Sequence, residues 1–224
     1  MVNLKLIRPE HLWYAVGIIA TDGNLSPDKR HIAITSKDIC FLQELSLVLG
    51  LDCKIGRKSS GSNKDKIYGV LQFSDVNFYK YLLSLGLTPK KSLTLSKLKI
   101  PQIRFTDFLR GVIDGDGNIR NWTHPQNGNE QWSLRIVSAS EKFSGWLFKQ
   151  IQDNFRVLGK IYGYRRGPKG NMLYTLKFGK VASKLILAKT YYPGCFSLRR
   201  KFDLAQNCLN SAVGWHKYAD MVIL

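Results

Sequence analysis

The 224-residue sequence has few acidic side chains, with 16 Asp and Glu against 34 Lys and Arg, so its formal net charge is +18. This excess is far above the charge of about 2–8 that keeps a small domain soluble. It favours a polyanionic partner, of which nucleic acid is the commonest. A membrane surface is the alternative, but the sequence has neither a basic amphipathic helix nor a run of about 20 apolar residues. The charge therefore predicts a nucleic-acid-binding protein.

Motifs for several other kinds of site are also lacking. The four cysteines show no C-x-x-C spacing and the four histidines are scattered, so free thiols are favoured over a zinc site. There is no G-x-x-x-x-G-K-[ST] nucleotide loop and no serine-centred hydrolase elbow. The first ten residues include Arg8, Pro9 and Glu10 and do not resemble a signal peptide. We therefore expect an intracellular protein, in a prokaryotic cytoplasm or in an organelle (mitochondrion or chloroplast).

Two nine-residue segments, 94 positions apart, nearly repeat each other: AVGIIATDG at 15–23 and LRGVIDGDG at 109–117. Each predicts an apolar helix with a small residue at its middle, a carboxylate at its far end and a glycine that stops it. Gly23 is expected to supply the left-handed residue that ends many helices. This repeat indicates an internally duplicated body.

The two predicted helices have start signals and matching small residues. Pro9 can occupy the first position of one helix, and Thr106 is the expected N-cap of the other. Mid-helix glycine costs roughly 1 kcal/mol relative to alanine, so glycines at matching positions require a packing reason. Small residues lie one turn apart on one face of each helix, namely Gly17 and Thr21 in the first and Gly111 and Gly115 in the second. We expect the two helix backbones to approach closely there.

The aspartates that end the segments, Asp22 and Asp116, lie where a helix is partially negative, so their charge is disfavoured there. A divalent cation would reverse that effect, and Mg²⁺ or Ca²⁺ prefers carboxylate and carbonyl oxygens. The alternative is that both are ordinary Asp-Gly turn residues. Two copies in matched helices favour the metal site.

The two segments resemble the paired motifs of the LAGLIDADG homing endonucleases, in the single-chain form that has both motifs in one polypeptide. The second copy matches closely. The first keeps the eighth-position acid and the following glycine as Asp22 and Gly23, and it departs from the family letters at Ala15, Val16, Ala20 and Thr21. Because Ala20 replaces the sixth-position acid, the resemblance implies that its counterpart Asp114 is dispensable for metal binding and acts as a local cap.

The resemblance implies an α+β fold of two pseudo-symmetric αββαββα repeats. Their antiparallel sheets would form a DNA-binding saddle, with the motif helices packed at its centre. The N-terminal repeat would span residues 1–89, a linker 90–104 and the C-terminal repeat 105–224. The implied partner is a long, pseudo-palindromic site in double-stranded DNA, bound by a monomer.

The resemblance also implies double-strand cleavage of that site by metal-dependent phosphodiester hydrolysis. Asp22 and Asp116 would hold Mg²⁺, with Ca²⁺ or Mn²⁺ able to substitute, assisted by the backbone carbonyls of Thr21 and Gly115. A basic residue is expected near each acid. The candidates at matched positions are Lys91 and Lys201, for which a phosphate-binding or linker role is the alternative.

Hydrophobic periodicity independently predicts the element order of the repeat. After the first motif it predicts a turn at 24–29, a strand at 30–36, a helix at 37–49, a hairpin of 54–58 and 66–74, and a helix at 76–85. After the second it predicts a loop at 121–130, a strand at 131–138, a helix at 141–155, a hairpin of 160–166 and 172–178, and a helix at 181–191.

The predicted strands alternate between apolar and polar residues, so one face of each sheet would be core and the other a contact surface. The DNA major groove admits a β-ribbon and presents a distinct pattern for each base pair. The expected DNA-binding residues are His31, Lys54, Arg57, Lys58, Lys64, Lys66, Gln72, Arg135, Lys160, Arg165, Arg166, Lys169 and Lys177. At the strand ends, Ser36 and Ser138 could order solvent, although helix capping is favoured.

Other functions remain open. A group I intron RNA maturase or a non-cleaving, sequence-specific DNA-binding protein of the same fold would bind nucleic acid without cutting DNA. A generic basic architectural protein would bind without sequence preference. A P-D…D-x-K nuclease could use Pro27-Asp28 with Asp52-Cys53-Lys54, but that pattern is short and leaves the duplication unexplained. The presence of both motif acids favours an active nuclease.

Overall fold

The computed structural model describes residues 2–59, 67–165, 167–168 and 170–212. The chain divides into two compact units, residues 1–115 and 116–224. Each unit contains a four-stranded antiparallel sheet with helices packed against it. No helix in the described ranges combines the length and apolar character needed to cross a membrane.

The first unit contains three helices and four strands, followed by a 3₁₀ helix at Gln102–Arg104 and most of a fourth helix. In chain order these are α1 (Pro9–Asp22), β1 (Gly23–Leu25), β2 (His31–Ser36), α2 (Ile39–Val48), β3 (Gly56–Ser59), β4 (Ile67–Ser74), α3 (Val76–Leu85) and α4 (Phe105–Asp116). Local chemistry sets the boundaries of α3. The Asp75 carboxylate accepts a hydrogen bond from Phe78 N at 2.9 Å, and Gly86 ends the helix with φ of 103°.

The second unit starts at Asp116, the last residue of α4. It continues through β5 (Gly117–Thr123), β6 (Glu130–Ser138), α5 (Glu141–Phe155), β7 (Lys160–Arg165), β8 (Met172–Phe178), α6 (Lys180–Thr190) and α7 (Arg199–Asn210). Helix α5 begins after Ser140, whose hydroxyl accepts a hydrogen bond from Phe143 N.

The two sheets have the same topology, with strand orders β1-β2-β4-β3 and β5-β6-β8-β7. The strand pairing that follows each motif is also equivalent in the two sheets. Gly23, directly after the first motif aspartate, pairs with Ile34, and Gly117, directly after the second, pairs with Ile136. The predicted α+β class and the repeated αββαββα order are therefore confirmed.

One face of each sheet is core. Ile32 and Ile34 of β2 are buried and alternate with half-buried neighbours, as predicted. On β6, Trp132, Leu134 and Ile136 are buried, as predicted, while Arg135 between them is half-buried. The alternation of side chains along a strand therefore separates core from surface in both units.

Several predicted elements differ from the structure. The turn expected at 24–29 begins as β1, and the loop expected at 121–130 begins within β5. Helix α7 was not predicted. These elements escape periodicity analysis because β1 is only three residues long, β5 continues directly from a helix, and α7 begins with three basic residues.

Two predicted helix ends are also wrong. Gly23 is extended, with φ of −88° and ψ of 153°, so it begins a strand and does not form a left-handed cap. A Cβ on Gly23 would lie 2.6 Å from Ile19 Cα, which gives a packing reason for the glycine. Thr106 is not an N-cap, because α4 starts at Phe105 directly after the 3₁₀ helix.

The compact units do not divide where the sequence repeat does. The predicted repeats, 1–89 and 105–224 with a linker at 90–104, describe the duplication, whereas the units divide after Gly115. Most of α4 therefore belongs to the first unit, although its sequence opens the second repeat. The physical reason is its contact with α1.

Helices α1 and α4 touch backbone to backbone at their glycines. A Cβ on Gly17 would overlap the Phe108 carbonyl oxygen and lie 2.9 Å from Gly111 Cα. A Cβ on Gly111 would overlap the Tyr14 carbonyl oxygen and lie 2.9 Å from Ile18 N. The close approach predicted from the small residues is therefore present, and it leaves no room for a methyl group.

Polar groups also join these helices. The hydroxyl of Tyr14, which is fully buried, donates to Asp114 Oδ2 at 2.7 Å. Asp114 therefore accepts a hydrogen bond from a residue 100 positions away in the chain, and the expectation that it also caps locally stays a prediction. Arg110 is also fully buried, 3.0 Å from Asp107 and with its guanidinium over the Tyr14 ring. This buried polar cluster was not predicted from the sequence.

We predict that Gly111→Ala lowers the free energy of unfolding by about 3 kcal/mol, because the added methyl group forces the two backbones apart. Gly145→Ala is the matched control, because Gly145 is exposed within α5 and its Cβ would have open space around it. The control should raise stability by about 1 kcal/mol through helix propensity. Urea denaturation measures both, and equal effects would contradict the tight contact.

We also predict that Tyr14→Phe lowers the free energy of unfolding by about 2 kcal/mol, because a buried carboxylate loses a hydrogen-bond donor. Tyr162→Phe is the control, since Tyr162 in β7 is 45% exposed. Thermal and urea denaturation of the two variants should separate them. A Tyr14→Phe variant as stable as Tyr162→Phe would show that the hydrogen bond contributes nothing to the packing of α1 on α4.

Candidate active site and nucleic-acid interface

The first motif aspartate lies at the exposed end of α1, beside the last turn of α4. A Cβ on Gly115 would overlap Thr21 Oγ1 and would lie 3.2 Å from Asp22 Oδ2. The missing side chain of Gly115 therefore leaves space that the side chains of Thr21 and Asp22 occupy. The Thr21 hydroxyl donates back into α1, to Ile18 O at 3.0 Å.

In the second unit, Asp116 is exposed and Gly117 after it is buried at the start of β5. Asp22 and Gly23 have the same exposure pattern in the first unit. Each motif thus ends with an accessible carboxylate at the point where a helix passes directly into a strand. That Asp22 and Asp116 lie side by side stays a prediction.

A lysine approaches the end of the motif in each unit. Lys91 Nζ donates to the Gly23 carbonyl oxygen, and Lys201 Nζ donates to the Gly117 carbonyl oxygen. The two side chains are only 6% and 4% exposed. Burial of an ammonium group is unfavourable unless it is hydrogen-bonded, and these carbonyls supply that bond. The two lysines therefore make equivalent contacts, each to the carbonyl of the residue that follows the motif acid.

The donors at these helix ends suit a hard divalent cation. They are a carboxylate in each unit and the backbone carbonyls of Thr21 and Gly115. Mg²⁺ is usually held by one or two protein carboxylates together with water and substrate phosphates. No group of three or more His, Cys, Asp or Glu side chains able to hold a metal occurs among the described residues, and the four cysteines are free thiols. The carboxylate and carbonyl oxygens at these helix ends are donors of the kind that Mg²⁺ prefers.

The predicted DNA-binding residues of the first unit do not all share a face. Lys58 pairs with Tyr68 in the row that faces away from the core, while Arg57 pairs with Gly69 in the opposite row. Lys54 precedes β3 and is exposed, as is Gln72 in β4. Alternation along β3 therefore separates two cations that are neighbours in the sequence and were predicted to act together.

His31 has a carboxylate partner. Its Nδ1 is hydrogen-bonded to Asp28 Oδ2, in the turn between β1 and β2. This bond holds the pKa of Asp28 well below its ordinary value, with further help from the His31 and Arg30 backbone amides. The Asp28 carboxylate therefore lies beside both His31 and Arg30, whose Nε is 3.8 Å away, at the edge of the candidate interface.

In the second unit, Lys160 and Lys177 pair with each other on adjacent strands, and Arg135 pairs with Lys177 from the other side. Arg165 pairs with Met172, in a row of the opposite face. The predicted DNA-binding residues Lys64, Lys66, Arg166 and Lys169 lie outside the described residues.

Ser36 and Ser138 occupy equivalent positions at the ends of β2 and β6. Each hydroxyl accepts a hydrogen bond from the backbone amide two residues later, at Asp38 and Ser140 respectively. Asp38 and Ser140 are themselves the N-caps of α2 and α5. Ser36 and Ser138 therefore shape the turns that lead into these helices, and ordering of solvent by them stays a prediction.

No protein-family model matches the sequence, and no curated protein matches it. Solved structures do. A mesophilic variant of the homing endonuclease I-DmoI is 15% identical, with 89% of this chain and 98% of that chain covered and a TM-score of 0.55. The LAGLIDADG homing endonuclease I-GzeII, solved with its DNA target, is 14% identical, with coverages of 96% and 91% and a TM-score of 0.56.

Full-length DUF199/WhiA from Thermatoga maritima is 15% identical, with 99% of this chain and 68% of that chain covered and a TM-score of 0.56. Identities this low establish shared architecture and not shared activity. The resemblance of the two motifs and these structural matches agree on one architecture. The chain has the fold of the LAGLIDADG homing endonucleases.

Proposed function

We propose that this protein is a site-specific DNA endonuclease that makes a double-strand break in a long target by metal-dependent phosphodiester hydrolysis. The observation that carries the proposal is the chemistry repeated in the two units. In each, an exposed aspartate ends the motif helix, and a buried lysine donates to the carbonyl of the following glycine. One such site would serve each DNA strand.

Asp22 and Asp116 hold the divalent ions in this proposal, with the backbone carbonyls of Thr21 and Gly115 as further oxygen ligands. Mg²⁺ is the ion that this donor set favours, and bound to such ligands it can activate water and stabilise a leaving oxyanion. Helix ends are partially negative, which adds to the attraction for a cation.

Lys91 and Lys201 are the proposed basic groups. Each ammonium group is held in place by a backbone carbonyl, so its position is fixed before substrate arrives. A fixed positive charge near a reacting phosphate stabilises the negative charge that develops during hydrolysis. Their burial excludes competing water from the ammonium group.

The proposed substrate is double-stranded DNA. The protein would bind it as a monomer, through the polar faces of its two sheets. The net charge of +18 supports a polyanionic partner, and exposed strands β3 and β7 supply cations to those faces. A chain with two unequal halves suits a target that is only imperfectly palindromic.

A second candidate is a non-cleaving nucleic-acid-binding protein of this fold, including an RNA maturase. The similarity in fold to DUF199/WhiA, which the chain matches as well as it matches the endonuclease I-GzeII, keeps this candidate open. A library of duplexes with a randomised segment, incubated with the protein and Mg²⁺, separates the two. A nuclease yields cut molecules that share a site, whereas a pure binder retards duplexes on a gel and leaves them intact.

We predict that Asp22→Asn or Asp116→Asn reduces double-strand cleavage at least about a hundredfold, since the variant loses a ligand of the cation that would stabilise the transition state. DNA affinity in Ca²⁺ should remain largely intact. Asp52→Asn and Asp153→Asn are the controls, because both aspartates are exposed and lie outside the motifs. Cleavage of the selected site by the motif variants at the control rate would contradict the proposal, and loss of folding in both would support a structural role.

We further predict that Lys91→Met and Lys201→Met slow cleavage by a factor of about 10²–10³ while the protein stays folded, since methionine preserves much of the buried stem but removes the charge. Single-turnover cleavage measures the rate, and circular dichroism checks the fold. Lys90→Met is the neighbouring control, because Lys90 is exposed. Unchanged single-turnover rates in both variants would assign the two lysines to structure alone.

A further inference from the structure

The two sheets present different chemistry at the same register. In the first unit the row that starts one residue after the motif glycine contains Asn24, Ala33 and Gln72, which are paired across β1, β2 and β4. The equivalent row of the second unit contains Asn118, Arg135, Lys177 and Lys160, paired across β5, β6, β8 and β7. Asparagine begins both rows, but neutral residues follow in one and three cations in the other.

No acid among the described residues compensates the charges of the cationic row. Arg135, Lys177 and Lys160 make no ion pair with any carboxylate in the described part of the chain. Like charges directly opposite each other on neighbouring strands are destabilising. Repulsion among Arg135, Lys177 and Lys160 therefore destabilises the second sheet in the isolated protein.

Hydrogen-bonding capacity is also left unused beside this row. Arg135 Nε and Ser133 Oγ are buried and have no hydrogen-bond partner among the described residues. Ser133 is 1% exposed and lies two residues before Arg135 in β6, so both project from the same face. Buried donors without an acceptor are unfavourable, so these two groups add to the cost of the cationic row in the second sheet.

The charge of the whole chain has the same bias. Residues 1–115 contain 17 basic and 10 acidic residues, a net charge of +7. Residues 116–224 contain 17 basic and 6 acidic residues, a net charge of +11. In addition, the first unit places the ionised Asp28 next to its interface residue His31.

We propose that the two units bind DNA unequally. The row Arg135–Lys177–Lys160 binds the phosphate backbone of one half of the site. Its counterpart Ala33–Gln72 makes no such phosphate contact with the other half. This inference rests on the proposed DNA-binding function and adds to it a division of labour. Within this row the second unit supplies salt-dependent affinity, whereas the first unit contacts DNA through neutral groups.

Reciprocal exchange between the two rows tests the inference. Lys177→Gln gives the second row the residue of the first, and Gln72→Lys does the reverse. Lys142→Gln is the control for net charge, because Lys142 is exposed on α5 and belongs to neither sheet. The full chain is titrated at several salt concentrations with a fluorescent duplex of random sequence, and the logarithm of the binding constant is plotted against the logarithm of the salt concentration.

Each lost phosphate contact reduces the slope of that plot by about one unit. We expect Lys177→Gln to reduce the slope by about one, Gln72→Lys to increase it by about one, and Lys142→Gln to leave it unchanged. Without DNA and at low salt, Lys177→Gln should melt at a higher temperature than the natural chain, because the repulsion within the row is relieved. A merely structural Lys177 would give the opposite shift in melting temperature.

Failure of the inference is distinguishable from failure of the proposed function. If the natural chain binds duplex DNA with a flat salt response, the proposed DNA-binding function itself fails. Suppose instead that the binding constant falls steeply with salt, and that Lys177→Gln changes the slope no more than Lys142→Gln does. The DNA-binding function then stands, and the proposed unequal binding by the two units is overturned. A lower melting temperature for Lys177→Gln than for the natural chain would likewise overturn the proposed unequal binding.

Discussion

The contact between helices α1 and α4 is the constraint on which the first motif depends. Their backbones touch at Gly17 and Gly111, where even a methyl group would overlap a carbonyl oxygen of the other helix. Dispersion and backbone packing at this distance are lost steeply when atoms move apart. The buried hydrogen bond from Tyr14 to Asp114 and the buried Arg110 give the pair a specific alignment. The position of Asp22 beside Gly115 follows from that alignment.

Charge in this protein is distributed so that its stability and its proposed function oppose each other. The candidate active sites place carboxylates where helices end, and the second sheet places three cations in one row. Like charges within one row are unfavourable for the isolated chain, and in the proposed function a bound phosphate would offset that repulsion, while a bound cation would offset the negative charge at the helix ends. Local rules of stability are commonly violated at functional sites, and these violations coincide with the residues to which we assign function.

Much of the fold was predictable from local pattern. The alternation in β2 and β6 identified the core faces, and the boundaries of α5 were predicted correctly, because a 15-residue amphipathic helix with a serine cap carries a strong signal. Elements without such a signal were missed, notably the three-residue β1 and the basic helix α7. The candidate DNA interface was also predicted incompletely, because strand pairing decides which face of the sheet each residue occupies. Neighbours such as Arg57 and Lys58 were grouped by sequence but lie in rows on opposite faces.

By itself, the sequence determined that the chain is duplicated, strongly basic and organised as repeated helix and strand segments with an aspartate and a glycine at each motif end. These properties depend on nearby residues or on simple sums over the chain. They can therefore be predicted without knowing which distant residues are in contact. Only the tertiary structure decided that Asp114 bonds to Tyr14, that buried lysines 68 and 84 residues away donate to the motif glycines, and that the two sheets differ at one register. Each of these depends on pairing across the fold, where packing selects partners that sequence separation does not indicate.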